Sequence, residues 1–237
     1  FFYNTASSAI KNKIIVKVGN EIVTSIELEN KIKITLILSN TEINKENINK
    51  IKNFLGKTDL ICASNVICHI PDLNNLIETV DMLLSKNGTF IFEEPYLGSM
   101  FKKTSYDQIY DEHIYIFSAS AIYKIFSKFN FELIDILPQI THGGSMRYIL
   151  KRKGSSGISK NVENILLDEK LNKLDTLESC LNFKKNCELS KINIVNQINR
   201  FKDKGKTICG YAATSKSTTI LNYCKMKSNS IDYICDT

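Results

Sequence analysis

The hydrophobic pattern divides the chain into a short opening part and a longer part with a different period. In the opening part, alternating residues predict two short strands joined by a tight turn, over residues 14–18, 19–20 and 22–23. Thr24 or Ser25 then provides an N-cap for a helix carrying Ile26, Ile32 and Leu36 at helical spacing. A polar helix is predicted over residues 44–53.

From about Phe54 the pattern becomes an alternation of strands and helices, which is typical of an α/β sheet. The predicted elements are strand Thr58–Ser64, a helix from Pro71 and Asp72 to Ser85, turn Lys86–Gly88, strand Thr89–Phe92, helix Ser118–Lys128, and strands Glu132–Leu137 and Met146–Lys151. Such sheets bind ligands at the carboxyl ends of their strands. The candidate ligand loops are therefore Asn65–Pro71, Glu93–Phe117 and His142–Gly144.

The last third begins at a flexible break, Gly154–Gly157, and continues as one long or two shorter helices over residues 158–204. A βαβ unit follows, with strand Lys206–Gly210, helix Lys216–Cys224 and strand Ile231–Cys235. One strand pair with one helix cannot bury both faces of a sheet, so we expect the natural gene to continue beyond Thr237. The predicted domain boundaries are 1–53, 54–153, 154–204 and 205–237.

Composition is that of a globular protein, with 43% hydrophobic and 24% charged residues in 237. No apolar run is long enough to span a membrane. The net charge of +6 comes from dispersed lysines, and we expect no nucleic-acid partner. The seven cysteines lack zinc-binding spacing, so we predict reduced thiols in a cytoplasmic protein, with Cys180 and Cys187 buried on one helix face. Residues 1–9 are similar to the end of a signal peptide, or form a frayed terminus.

All three histidines lie at the predicted ligand loops, as His69, His113 and His142. Each alone is more often structural, but together they favour proton transfer. Residues 93–98 and 105–113 are dense in tyrosine and carboxylate, which suits proton removal beside a carbonyl; the alternative is a polar, aromatic-rich surface helix. Metal-dependent hydrolysis is disfavoured because no two histidines share a helix turn.

Hydroxyl and small residues precede the predicted helix at Lys216, over the segment Tyr211–Ser217. Backbone N–H groups at a helix start, with a lysine beside them, favour an anion. The alternative is an ordinary capped helix.

Five motifs in the later part occur in the order found in one enzyme family. They are residues 65–72 (NVICHIPD), 92–98 (FEEPYLG), 105–113 (SYDQIYDEH), 142–144 (HGG) with Arg147-Tyr148, and 210–217 (GYAATSKS). From about residue 57 the chain resembles the sugar-nucleotide C-methyltransferases, which methylate C3 of a dTDP-4-keto-deoxysugar with S-adenosylmethionine. The resemblance implies an incomplete class I methyltransferase (Rossmann-like) sheet, followed by helices and a partial second βαβ domain.

The resemblance also implies a role for individual residues. His113 would be the base that removes the C3 proton, with Glu112 orienting it, and Tyr110 and His69 would bind the sugar or stabilise the enolate. Asn65 would lie against the methyl donor. The remaining implied residues line the sugar cavity (Tyr96, His142, Gly143, Gly144) or contact the nucleotide diphosphate (Tyr211, Ser215, Lys216, Ser217, Asn222).

Residues 1–53 resemble instead the start of the SurA-type periplasmic chaperone and peptidyl-prolyl isomerase family, through the segment Val18–Ser25 before an amphipathic helix. The donor-binding glycine-rich turn, its ribose-binding carboxylate and the family's zinc module are not recognisable. We therefore hypothesise a chimera of two truncated genes, joined between 53 and 57, that binds the donor poorly and is inactive. The alternative is a non-catalytic sugar-nucleotide-binding protein or a secreted chaperone-like module.

Overall fold

The computed structural model describes residues 14–18, 21–24 and 58–236. Within the first two ranges, β1 (Ile14–Val18) and β2 (Glu21–Thr24) form an antiparallel pair, as the alternating pattern predicts. The turn predicted at 19–20 and the helices predicted between 24 and 53 lie outside the described residues.

A mixed four-stranded sheet forms the centre of the fold. Its strands are β3 (Thr58–Ser64), β4 (Leu84–Pro95), β5 (Phe131–Gln139) and β6 (Ser145–Arg152). The order across the sheet is β3-β4-β6-β5, with β3 and β4 parallel and β6 antiparallel to both of its neighbours. The predicted α/β class is confirmed.

Six helices are described along the chain. They are α1 (Leu73–Leu83), α2 (Leu97–Lys103), α3 (Ala119–Ser127), α4 (Lys160–Leu171), α5 (Leu177–Asp203) and α6 (Ser215–Tyr223). The predicted start of α1 is confirmed, because the Asp72 side chain accepts a hydrogen bond from the amide of Asn75 and caps the helix. Helix α6 connects β7 (Cys209–Tyr211) and β8 (Tyr233–Cys235), which pair in parallel as the predicted βαβ unit requires. None of the helices among the described residues has the apolar length needed to cross a bilayer.

Aromatic side chains fill the core between the sheet and α3. Phe92 and Tyr148 are fully buried on adjacent strands, with ring centroids 4.9 Å apart. Phe126, on the inner face of α3, stacks on Phe92 at 5.6 Å. This core fixes the strands whose carboxyl ends form the edge discussed below.

Three sequence predictions about local structure are wrong. Residues 86–88 are not a turn before a strand, because β4 already begins at Leu84. The Leu84 side chain is fully buried. Residues 85–88 form an irregularity in the pairing of β4 with β3. Cys180 is exposed, whereas Cys187 on the same helix is buried close to Tyr106 and Tyr223. The predicted loop 93–117 contains helix α2.

Candidate active site

Three loops meet at one edge of the sheet, where β3, β4 and β5 end and β6 begins. The amide of Asn65 donates to the carbonyl of Glu93 at 2.8 Å, and the amide of Tyr96 donates to the carbonyl of Gly144 at 3.1 Å. The three predicted ligand loops are therefore neighbours at the carboxyl ends of the strands, as predicted.

Asn65 follows β3 directly and has a left-handed backbone, with φ of 51°. Asparagine tolerates this conformation better than most residues. Its Oδ1 is buried and has no hydrogen-bond partner among the described residues. A buried acceptor without a donor is costly in the protein alone, so this atom fits a ligand that brings an N–H or O–H group.

Glu94 holds the turn that carries the first candidate histidine. The side chain is fully buried, and its Oε1 accepts from the amides of Val66 at 2.9 Å and Ile67 at 2.6 Å. These bonds cap the 3-10 turn Ile67–His69. Burial raises the pKa of Glu94, although these hydrogen bonds and those from Cys68 oppose the shift.

The turn at His69 and the segment before α3 are joined through their backbones. The carbonyl of Cys68 accepts from the amides of Ile114 and Tyr115, at 2.9 and 3.2 Å. His69 Nδ1 lies 2.6 Å from the carbonyl oxygen of Glu112, and because a carbonyl only accepts, Nδ1 carries the proton. The turn at residues 67–69 and the segment at residues 110–115 are therefore fixed to each other, and together they form one wall of the candidate site.

Three of the predicted catalytic side chains meet on this wall. The ring centroids of His69 and His113 are 5.1 Å apart, and those of Tyr110 and His113 are 4.0 Å apart. The hydroxyl of Tyr110 lies 2.8 Å from Nε2 of His113. Burial raises the pKa of Tyr110, so the phenol stays protonated at neutral pH and donates this hydrogen bond.

The tautomer of His113 is set by a main-chain carbonyl. Its Nδ1 donates to the carbonyl of Gln108 at 2.8 Å, which leaves the lone pair on Nε2 in the neutral ring. Burial lowers the pKa of His113; the Gln108 bond opposes this shift, and the charges of His69, Lys216 and His142 add to it. The neutral, basic form is thus favoured.

The sequence analysis assigned the orientation of His113 to Glu112. Glu112 is exposed, and its carbonyl accepts a hydrogen bond from Nδ1 of His69. Its carboxylate also contributes to the raised pKa of Tyr110. The orienting role of Glu112 stays a prediction, and the Gln108 carbonyl is a partner of His113 Nδ1 that the sequence analysis did not name.

Gln108 also connects His113 to the third histidine loop. Its side-chain amide donates to the carbonyl of His142, and Lys103 donates to the carbonyl of Gly143. His142, Gly143 and Gly144 all have positive φ, at 50°, 80° and 131°, which explains the glycines. The 142–144 turn is therefore held against the 105–113 segment.

Tyr96 borders this turn on one side and a larger cavity on the other. The recess shared by Tyr96 and residues 142–144 measures only about 10 Å³, so a sugar cannot enter it in this conformation. The Tyr96 hydroxyl donates to Oε1 of Glu169 at 3.0 Å and faces a cavity of about 600 Å³ between the sheet, α2, α4 and α5. Burial and the Glu169 charge raise the pKa of Tyr96.

The predicted diphosphate residues lie around the start of α6. Thr214 caps this helix, and the hydroxyl of Ser217 completes a capping box with the Thr214 backbone, so the helix is capped by its own side chains. Ser215 is exposed and Lys216 half-buried, whereas Tyr211 is 77% exposed on β7 and Asn222 is exposed two turns along α6. Their contact with a diphosphate stays a prediction.

Helix α6 packs directly on the segment that carries His113. The hydroxyl of Thr219 donates to the carbonyl of Ile109 at 3.3 Å, and the rings of Tyr106 and Tyr223 lie 4.9 Å apart. The charge of Lys216 acts on His113. The predicted anion site and the predicted base are therefore adjacent.

Two functionally placed residues were not singled out from the sequence. Gln108 is buried at 3% exposure inside a segment that was selected for its tyrosines and carboxylates. Glu169 is buried at 4% exposure and accepts from the amides of Ala119 and Ser120 at the start of α3. Glu169 follows Val162 and Ile165 at helical spacing. A carboxylate on the apolar face of a helix indicates a buried acidic residue, and this pattern could have identified Glu169 from the sequence.

Comparison with known families decides the class of the protein. A model described as "Methyltransferase domain" matches residues 17–136, which is half of the chain. The chain belongs to the methyltransferase domain family. A model described as "C-methyltransferase C-terminal domain" matches residues 140–237 of this methyltransferase.

Individual relatives are more distant. The methyltransferase is 25% identical over 183 residues to C-methyltransferase NovU from Streptomyces niveus, covering 77% of this chain and 44% of the relative. It thus spans less than half the length of that curated relative. A solved SAM-dependent methyltransferase from Anabaena variabilis ATCC 29413 shares 19% identity with a TM-score of 0.33, over 55% of this chain and 66% of that one.

The expected chaperone resemblance of residues 1–53 finds no support. The methyltransferase-domain match begins at residue 17 and continues across the proposed junction between 53 and 57. A strand pair before an amphipathic helix is common to many folds, and this similarity of pattern carried the chaperone interpretation.

Proposed function

We propose that this chain is part of an S-adenosylmethionine-dependent C-methyltransferase that acts on C3 of a dTDP-4-keto-deoxysugar. The observation that carries the proposal is the Nε2 lone pair of His113, with the tautomer fixed by Gln108 and with Tyr110 and His69 beside it. The C-methyltransferase match and the similarity to NovU support carbon as the methylated atom.

The base acts on a carbon made acidic by its neighbour. His113 Nε2 takes the C3 proton once the Tyr110 hydroxyl turns from it toward the substrate oxygen, and the electron pair moves into an enolate spread over C3 and the C4 carbonyl oxygen. The Tyr110 hydroxyl and the His69 ring stand next to that position and would stabilise the developing negative charge. When bound, S-adenosylmethionine would supply the electrophilic methyl group, and the enolate carbon would bond to this methyl as its bond to sulfur breaks.

The fit to the methyl donor rests on Asn65. Its buried, unpartnered Oδ1 at the end of β3 would accept a hydrogen bond from the donor, as the resemblance implies. Replacing Asn65 by Gly keeps the left-handed backbone and removes this acceptor, together with the exposed bond from Nδ2 to Ser64 Oγ. We expect weaker donor binding by N65G without loss of folding. The reduced donor affinity predicted for the chain as a whole stays a prediction.

Helix α6 would hold the other end of the substrate. An anion at Ser215 and Lys216 would place a nucleotide diphosphate on the helix that packs against the His113 segment. Lys216 would then neutralise the diphosphate instead of acting on His113. Tyr96 and the 142–144 turn would contact the sugar from the exposed side of the turn, because the recess between them is too small.

Hydrogen exchange at C3 tests the base without requiring methyl transfer. The protein is incubated in D2O with a dTDP-4-keto-deoxysugar, and deuterium in the sugar is followed by mass spectrometry. We expect H113N to lower the exchange rate by about 10²–10⁴-fold, the usual contribution of a general base. H142N, on the same edge, serves as the matched histidine variant and should lower it much less. Exchange that persists in H113N would refute the assignment.

A further inference from the structure

One group of side chains among the described residues has the composition of a metal site. Cys68, His69 and His113 each offer one ligand atom, and the three atoms lie within 4.8 Å of one another. Cys68 is fully buried at the bottom of the group, while both histidines are half-buried above it. A cation would therefore reach the thiol past the two imidazoles.

The hydrogen bonds around this group match those of a metal-binding histidine pair. Metal-ligating histidines usually donate the ring N–H that does not bind the metal to a carbonyl or carboxylate. Here Nδ1 of His69 donates to the Glu112 carbonyl, and Nδ1 of His113 donates to the Gln108 carbonyl. Both rings are thus oriented by backbone atoms, with Nε2 left as the ligating nitrogen.

The backbone also fixes the spacing between the two histidine segments. The Cys68 carbonyl accepts from the amides of Ile114 and Tyr115, which links the turn at His69 to the residues that follow His113. Backbone hydrogen bonds therefore hold the two segments that carry the three ligands at a fixed separation. Each of them is anchored through its own neighbours in the chain.

We propose that Cys68 Sγ, His69 Nε2 and His113 Nε2 bind a zinc-class divalent cation, which inhibits the protein by occupying the lone pair of His113. The inhibitory part rests on the proposed function, whereas the binding part does not. One thiolate and two imidazoles suit Zn²⁺ and Co²⁺, and they are poor ligands for Mg²⁺ and Ca²⁺. The fourth position stays open to water.

Binding requires a small closure and two exchanges of partners, because the Cys68 side chain also gives up its hydrogen bond to Glu94. Ligand atoms around tetrahedral zinc are separated by about 3.3–3.8 Å, so the group must tighten by about 1 Å. The Tyr110 hydroxyl, 2.8 Å from His113 Nε2, gives up that position to the cation. As the metal–sulfur bond forms, the thiol proton passes to the buffer, and no electron transfer is involved.

Direct binding to the metal-free full chain is the first test. We expect one equivalent of Zn²⁺ by calorimetry, and a thiolate-to-metal charge-transfer band when Co²⁺ is added. C68S, H69N and H113N should each weaken binding by at least about 10-fold. C62S and H142N, which change a cysteine and a histidine outside the group, should bind as the parent does. Circular dichroism checks folding. If C68S does not fold, H69N still tests the site, because His69 is only half-buried.

Three results would overturn the site: no binding, no thiolate band, or equal affinity in the three ligand variants. The C3 exchange assay then tests inhibition, which should appear with Zn²⁺ and disappear with a chelator. Binding without any loss of exchange would overturn the inhibitory part. A protein that binds the metal but shows no exchange when metal-free would support the site and refute the proposed base, so the two failures are distinguishable.

Discussion

The contribution of the buried Glu94 carboxylate to stability, through its hydrogen bonds to the turn at residues 67–69, can be measured by mutation. Its Oε1 accepts from the amides of Val66 and Ile67. Glu94→Ala leaves both donors without their partner, at a cost of about 1–3 kcal/mol each, so we expect a loss of about 2–6 kcal/mol in the free energy of unfolding. For a chain of this size, that lowers Tm by about 2–4 °C per kcal/mol.

Glu94→Gln separates the hydrogen bonds from the charge. The amide oxygen of glutamine still accepts from the two backbone donors, so we expect E94Q to be much more stable than E94A at neutral pH. Because burial raises the pKa of Glu94, its contribution to stability is full below its unfolded pKa and is lost as the pH rises through the folded pKa. The stability of E94Q relative to the parent should therefore increase as the pH rises above 4.5, the ordinary pKa of the group.

Urea unfolding of the parent, E94A and E94Q over this pH range is the appropriate assay. Glu163, exposed on α4, provides the matched control, and E163A should change stability by no more than about 0.5 kcal/mol. If E94A were as stable as E163A, the capping role would be wrong. If the difference between E94Q and the parent did not depend on pH, the raised pKa would be wrong.

Three further predictions concern the surroundings of the site. Gly144→Ala should lower both stability and C3 exchange, because φ is 131° and an added Cβ would lie 2.5 Å from the Ser99 side chain; unchanged thermal unfolding would contradict this. Hydrogen bonds, including one from Ser159, outweigh desolvation and lower the pKa of Asp135. The ionised Asp135 carboxylate therefore stabilises the folded protein fully above pH 3.8, and this contribution is lost as the pH falls below that value. D135N should remove this contribution from the acid unfolding curve. Glu169→Ala removes the acceptor of two amides at the start of α3 and should destabilise by about 2 kcal/mol or more in urea, whereas E169Q should recover part of the loss.

The elements that the sequence predicts best are those with a strong local signal. The apolar run Thr58–Ser64 is a parallel strand with the predicted bounds, and the Asp72 cap starts α1. The turn predicted at residues 86–88 failed because lysine, asparagine and glycine favour turns locally, while the burial of Leu84 favours continuing the strand. Tertiary packing outweighed the local preference there.

The candidate site was predictable in its residue types but not in its contacts. Histidines and tyrosines at the ends of strands indicated where His69, Tyr110 and His113 would meet, and the structure brings these three together. The bond from His113 to the Gln108 carbonyl was not predictable, because main-chain atoms leave no trace in side-chain identity. Glu94 belongs to one of the sequence motifs, but its hydrogen bond from the amide of Ile67 was likewise not predicted.

The two family matches meet between residues 136 and 140, a border that passes through a single β-hairpin. Strand β5 ends at Gln139 and pairs along its whole length with β6, whose residues belong to the other match. An engineer who split the polypeptide at this evolutionary border would cut a hydrogen-bonded ladder and leave two unpaired edges open to aggregation. Residues 153–158, after β6 ends, are the better place to insert a tag or exchange one half for that of a relative.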